Sequence, residues 1–210
     1  MGMILTYDAT GLNLDRVPAS APQVALYTTG SGGVQATAAQ LAAHPGAVRI
    51  CQDVGATDST ADVLDIESGA ATYADAGPWY HRAIGSRGAN ARPGQRLPMF
   101  YASASNITPL VNALIAEGVH AGPRLWVAHW GIGQAAATAD VTNTGPFPIE
   151  AYQFANDGTF DLSVFDSAWL ASGQPATRPP VPQWGIDAVA DLTTIATDAL
   201  AVRTALQTNL

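Results

Sequence analysis

Asp62-Val63-Leu64-Asp65-Ile66-Glu67 is an apolar run that ends in two carboxylates separated by one residue. Its length and its Val and Ile content predict a buried strand, and side chains two apart on a strand point to the same face. Asp65 and Glu67 are therefore expected to project together, about 6.6 Å apart along the strand. Similar runs recur along the chain, at Met3 to Asp8, Val24 to Thr28, Ala47 to Gln52, Leu97 to Ala102, Arg124 to His129, Ile149 to Phe154 and, more briefly, Phe160 to Leu162. Together they make eight strands, the number that closes a barrel.

Helical signals fall between several of these runs. Thr37 with Gln40 reads as a capping box ahead of Leu41, and Thr108-Pro109 opens a helix that Gly118 closes. Trp79 to Gly85 and Gln134 to Val141 also look helical, whereas the links Thr10 to Pro22 and Asp53 to Ala61 do not. The expected fold is α/β: a compact, irregular, TIM-like (β/α) barrel with a mainly parallel sheet and some helices missing, spanning residues 1–173.

After Gly173 the composition shifts to Gln174-Pro175-Ala176-Thr177-Arg178-Pro179-Pro180-Val181-Pro182, the signature of a stiff linker, placed at 174–185. From 186 to 210, Ala188, Leu192, Ile195, Ala199, Val202 and Leu206 recur at alternating spacings of four and three. That stripe predicts an amphipathic C-terminal helix. A helix this short needs a partner, either the barrel itself or another chain through coiled-coil self-association or assembly into a larger particle.

Composition narrows the function classes. Apolar residues make up 48% of the 210 and charged residues only 12%, which excludes a disordered chain, while no run is long enough to span a membrane. A net charge of −8 argues against nucleic acid, which demands a basic face. All nine basic residues are arginine, consistent with a GC-rich gene. The acidic C-terminal stripe lacks the cations that would hold it on anionic lipid. Met1 to Tyr7 shows neither the basic nor the apolar segment of an export signal, so the chain is expected to be made in a cytoplasm and delivered elsewhere by other means.

The chemistry is expected where the strands end. Two neighbouring carboxylates oppose each other's ionisation, so one can stay protonated as a general acid while the other remains charged. Glycoside hydrolysis uses that division of labour. Further acids accompany other strands: Asp8 ends the first run, Asp53 follows the third, and Asp161 lies in the last. Tyr101, Trp126, His129 and Gln153 lie toward the ends of the remaining runs, as a saccharide cleft of stacking rings and hydrogen-bonding amides requires. Trp126 also fits ordinary core packing.

Other chemistries fit poorly. His44, His81, His120 and His129 show no metal-ligand spacing, and the lone Cys51 sits in an apolar run as a small buried hydrophobe. Gly30-Ser31-Gly32-Gly33 lacks the Lys-Ser/Thr ending of a phosphate loop and reads as a turn. Ser103 and Ser105 lack nucleophile-elbow glycines. No cofactor is expected.

The order of the strand motifs resembles the Chalaropsis-type lysozymes, glycoside hydrolase family 25, over Met3 to Ala171. Tyr7-Asp8 stands where that family has its first-strand Asp, and Leu64-Asp65-Ile66-Glu67 is similar to its Asp-x-Glu strand. Pro98-Met99-Phe100-Tyr101-Ala102-Ser103 and Leu125-Trp126-Val127-Ala128-His129-Trp130 resemble its next two strands. Tyr152-Gln153-Phe154 with Asp157-Gly158-Thr159-Phe160-Asp161-Leu162 looks like its closing pattern. The resemblance implies muramidase activity on the β-1,4 bond between N-acetylmuramic acid and N-acetylglucosamine of the bacterial cell wall. It makes Glu67 the general acid and Asp65 the group that orients substrate or stabilises the transition state, with Asp8 and Asp161 completing an acidic mouth. Retention by a protein nucleophile and assistance by the substrate's acetamido group both stay open.

The chain departs from that family at Arg49-Ile50-Cys51-Gln52-Asp53, where a Tyr-His-Phe is usual, and in a shortened stretch between Asp8 and Asp65. This N-terminal half is also similar to glycoside-hydrolase-like domains of unknown function in actinobacteria. The expected role is therefore a phage-delivered cell-wall glycosidase, with a glycan-binding or structural tail component of the virion as the alternative.

Overall fold

The computed structural model describes residues 2–31, 33–87, 92–142 and 146–173. The predicted linker (174–185) and C-terminal helix (186–210) lie outside the described residues.

Eight strands close a barrel in sequence order: β1 (Met3–Ala9), β2 (Gln23–Tyr27), β3 (Val48–Cys51), β4 (Val63–Asp65), β5 (Met99–Ser103), β6 (Arg124–Ala128), β7 (Ile149–Asn156) and β8 (Asp161–Asp166). Strands β1 to β7 pair in parallel. The last strand does not follow them: β8 is antiparallel to both β7 and β1. It is also longer than the expected Phe160 to Leu162 segment. The reason is local. Asp157-Gly158 makes a tight turn in which the Asp157 carboxylate accepts from the backbone N–H groups of Thr159 and Phe160, at 2.8 and 2.9 Å, and Gly158 takes φ +89°, a conformation that favours glycine. A turn this short returns the chain alongside β7 and leaves no room for the crossover that a parallel strand needs.

Helices cover only part of the barrel. Between β2 and β3 lies α1 (Ala38–Ala43), opened by the expected Thr37–Gln40 capping box. The longest helix, α2 (Tyr73–Ser86), joins β4 to β5 and extends the predicted Trp79 to Gly85 segment toward its N-terminus. Asp75 fixes that start by accepting from the N–H and hydroxyl of Thr72, at 2.8 and 2.7 Å. Helix α3 (Ile107–Ala116) begins one residue before Thr108, because a 3₁₀ turn at Ala104–Asn106 feeds into it, and it ends at Gly118 with φ +77°. Helix α4 (Gly133–Asp140) follows β6, and the short α5 (Ser167–Ala171) follows β8. The β1–β2 and β3–β4 links carry no α-helix, as their sequences suggested. Among the described residues no helix is long and apolar enough to cross a membrane.

Period-two alternation sorts the strand residues into two layers. Val63, Met99, Tyr101, Trp126, Ala151 and Phe165 form the barrel interior with Trp169 of α5. Leu64, Phe100 and Val127 point outward and pack with Trp79, Leu110 and Leu114 of the covering helices. Inside, Tyr101, Trp126, Phe165 and Trp169 make a continuous aromatic column, with successive ring centroids 4.9, 4.7 and 5.5 Å apart. Near Trp169 the buried Asp62 holds Arg92 and Arg96 at 2.8 and 3.1 Å, and the Arg96 guanidinium lies 5.6 Å from the centroid of the Trp169 ring. The lower part of the column and the ion cluster fill the end of the barrel at which the parallel strands begin.

Candidate functional site

The inward positions nearest the carboxyl ends of the parallel strands are almost all polar. On β1 this is Asp8, on β2 Tyr27, after β3 Gln52, at the end of β4 Asp65, on β5 Tyr101 and on β7 Gln153. Asp161 opens β8, and because that strand runs antiparallel its first residue lies at the same mouth as the last residues of the others. Asp8 and Asp161 are cross-strand partners in the β1–β8 ladder.

Hydrogen bonds hold this ring in a fixed arrangement. The Tyr27 hydroxyl donates to Asp8 Oδ2 at 3.0 Å, Gln52 Nε2 to Asp65 Oδ2 at 2.9 Å, Tyr101 to Gln153 Oε1 at 2.7 Å, and Asn156 Nδ2 to Asp161 Oδ1 at 2.6 Å. Asp8, Asp65 and Gln153 are 7, 2 and 0% exposed, and each keeps one head-group atom without a hydrogen-bond partner among the described residues: Asp8 Oδ1, Asp65 Oδ1 and Gln153 Nε2. Buried polar atoms left unpaired are costly, and three of them gather at this one mouth.

The electrostatics follow from burial and crowding. Loss of solvent, then the charge of Glu67, pushes the Asp65 carboxyl up to about 7 against the hydrogen bond from Gln52. Asp8 is raised well above the ordinary carboxylate range, by burial first and then by Asp161, Asp65 and Glu67, while Tyr27 opposes the shift. Glu67 is exposed as a residue, yet its carboxyl group is partly stripped of water. That loss raises it first, Tyr101 opposes the shift, and the charge of Asp161 adds to the rise. Asp161 is raised by desolvation against the bond from Asn156. Each of these carboxyls therefore holds its proton to higher pH than an isolated carboxylate does.

Glu67 lies just beyond the three paired residues of β4, and it lines an open cleft of about 310 Å³ with Ile66, Ser68, Ala71, Thr72, Tyr73 and Asn106. A second hollow of about 300 Å³ is lined by Gly30, Ser31, Gln52, Asp53, Val54 and Gly69. Among the described residues no group of three or more His, Cys, Asp or Glu is arranged to hold a metal ion.

No family model matches the chain, and no curated protein matches it. A solved structure, described as that of an uncharacterized B. stearothermophilus protein, is 14% identical with a TM-score of 0.47, covering 80% of this chain and 98% of its own. That likeness is too distant to bear on activity.

Of the residues expected at the site, Asp8, Asp65, Glu67, Tyr101, Gln153 and Asp161 belong to the mouth. Three do not. Trp126 is fully buried beneath Tyr101 and donates its indole N–H to Ser163 at 3.1 Å, so it is floor, not contact surface. His129 sits one residue beyond inward-facing Ala128 and turns to outward-facing Tyr152, with 3.4 Å between Nδ1 and the Tyr152 hydroxyl. Asp53 falls on the wrong side of the alternation. It ties the β3–β4 loop by accepting from Cys51 Sγ and from the Thr57 backbone and hydroxyl. Burial would raise Asp53, but the bonds from Cys51, Thr57 and Thr29 hold it below the usual carboxylate range.

Gln52 and Tyr27 were not singled out in the sequence, although the same period-two count that places Ile50 inward places Gln52 inward, and the count from Ala25 gives Tyr27.

Proposed function

We propose that this barrel is a glycoside hydrolase that cleaves cell-wall glycan, the β-1,4 bond between N-acetylmuramic acid and N-acetylglucosamine being the expected target. The observation that carries the reading is the Asp65–Glu67 pair: one carboxyl is buried and anchored by Gln52, and the other reaches an open cleft.

The two carboxyls interact and hold a shared proton toward neutrality, a property of the pair. A glycosidic oxygen entering the cleft at Glu67 accepts that proton as the C–O bond breaks and its electron pair goes to the leaving oxygen. Positive charge then develops on the sugar ring, opposite two carboxylates fixed in place before the reaction, with Asp161 adding to the same field. Water supplies the hydroxyl to the anomeric carbon, and its proton returns to Glu67.

Mass spectrometry of soluble products from purified peptidoglycan tests the reading. Fragments carrying a reducing-end muramic acid are expected. Binding to the glycan with no new reducing ends, even after prolonged digestion, would replace the enzyme with a glycan-binding barrel, the role expected of a virion component.

A further inference from the structure

The second hollow, of about 300 Å³, has no part in the proton transfer at Glu67, yet its wall is continuous with both reacting carboxyls. Gln52 lines it and also donates from Nε2 to Asp65 Oδ2 at 2.9 Å. Gly69 lines it too, two residues after Glu67 and so within about 7 Å of it along the chain. Glu67 and Ser68 line the first cleft. Three consecutive residues, Glu67-Ser68-Gly69, therefore border two separate spaces, each large enough for a small polar ligand.

The lining suits a sugar and not an anion. Ser31, Gln52 and Asp53 supply polar groups, and Val54, 72% exposed, supplies an apolar surface. Gly30 and Gly69 add no side chain. Gly30 takes φ +135°, and a Cβ there would lie 3.2 Å from Val34 Cγ1 and 3.4 Å from Gln52 Oε1, so the backbone passes close to the amide only because this residue is glycine. The amide is placed without help from a ligand, since the Gln52 backbone N–H donates to the Thr29 hydroxyl at 2.7 Å. None of the six lining residues is a cation. Asp53 is a carboxylate pinned by Cys51 and Thr57, with Asp65 one hydrogen bond beyond Gln52, so a second anion is repelled. A sugar hydroxyl both donates and accepts, and it can therefore pair with an amide or a carboxylate whichever atom it meets.

We propose that this hollow is a second saccharide subsite, taking an uncharged sugar unit next to the one held at Glu67, with Gln52 as its contact residue. The assignment rests on the glycosidase reading and deepens it. N-acetylmuramic acid carries a carboxylate on its lactyl group and N-acetylglucosamine carries none, so N-acetylglucosamine is the unit that the hollow accepts. A glycan longer than two sugars engages both spaces, and Gln52 ties occupancy of the hollow to the position of Asp65.

The test uses the full chain carrying Glu67→Gln, so that hydrolysis does not intervene, with N-acetylglucosamine tetramer as the probe. In amide correlation spectra of the isotope-labelled protein, the side-chain amide of Gln52 and the backbone amides of Gly30, Ser31 and Gly69 are expected to shift on titration, together with those of Ser68 and Asn106 at the first cleft. By calorimetry, Gln52→Ala and Ser31→Trp, each added to that background, are expected to lose about tenfold or more in affinity. The first removes the amide and also releases Asp65. The second fills the hollow from an exposed position and leaves the bond between Gln52 and Asp65 in place.

Shifts confined to Ser68 and Asn106 overturn the second subsite and leave the glycosidase reading standing. So does a Gln52→Ala or Ser31→Trp protein, folded by circular dichroism, that binds the tetramer as tightly as its parent. Absence of shifts in both spaces, with the tetramer and with soluble peptidoglycan fragments alike, overturns the saccharide reading and the ligand class with it.

Discussion

Asp8 and Asp161 are direct partners across the antiparallel ladder between the first and last strands, so two carboxylates from opposite ends of the barrel sequence meet at its mouth. Only an antiparallel β8 makes this possible, since a parallel strand would carry its first residue to the far end. Like charges placed opposite each other on neighbouring strands are destabilising, and the charge of Asp161 raises the Asp8 carboxyl.

Replacement of Asp161 by Asn is therefore expected to stabilise the fold. At about pH 8 the variant should melt a few degrees above wild type. The gap should narrow at about pH 5, where protonation already relieves the repulsion. Scanning calorimetry at both pH values decides it, and an equal or lower midpoint for the variant at the higher pH counts against electrostatic crowding at the mouth.

The whole mouth should make the protein more stable in mild acid than in mild base. The carboxyls of Asp8, Asp65, Glu67 and Asp161 are all raised on folding. A group raised on folding contributes stability that is complete below its unfolded value, near 4, and is lost as pH climbs through its folded value, about 7 for Asp65. Asp53, lowered on folding, acts in the opposite sense and loses its contribution only as pH falls below about 4. Urea midpoints should thus be highest near about pH 4 and decline steadily from there toward 8, by a few kcal/mol in unfolding free energy. Asp65→Asn should shallow that decline.

At the opposite end, Arg96 donates to Asp62, to the carbonyl oxygens of Gly46, Ala47 and Leu170, and stacks over Trp169. Arg96→Met keeps much of the aliphatic packing but leaves the buried Asp62 with Arg92 as its remaining direct ion-pair partner among the described residues. A loss of about 3 kcal/mol is expected by chemical denaturation. The mouth should be untouched, so residual activity per folded molecule should match wild type.

Burial pushes the Cys51 thiol up to about 12. It is fully enclosed and donates to Asp53, so it should resist a disulfide-based thiol reagent at about pH 8 in the native state and react once the chain is unfolded. Rapid native labelling would mean that the β3–β4 loop opens far more readily than its hydrogen bonds imply.

Much of the barrel was legible because its strands are short, apolar and rich in β-branched residues, and because Asp65 and Glu67 share a face whatever the strand's exact ends. The alternation rule, where followed, also reached the site: it selects Asp8, Tyr101 and Gln153. Where residues were taken by chemical type, it failed. Asp53 attracted notice as an acid, although its neighbour Gln52 is the one that faces the lumen, and His129 attracted notice as a titratable ring although it sits one position out of phase. The reversal of β8 was encoded in Asp157-Gly158, a strong hairpin signal that a barrel expectation overrode. The unpaired atoms of Asp8, Asp65 and Gln153 had no sequence signature, because they depend on which tyrosine or glutamine takes the other half of each head group.

The measurement that bears most directly on the central claim is release of reducing ends from purified actinobacterial peptidoglycan by wild type and Glu67→Gln, with circular dichroism confirming that both are folded. Wild type is expected to release reducing ends, and the variant to fall by about a hundredfold or more, since it keeps the shape of the side chain but has no proton to give. Equal release by the two folded proteins would contradict the assignment of Glu67 as the acid, and no release by either would contradict the glycosidase itself.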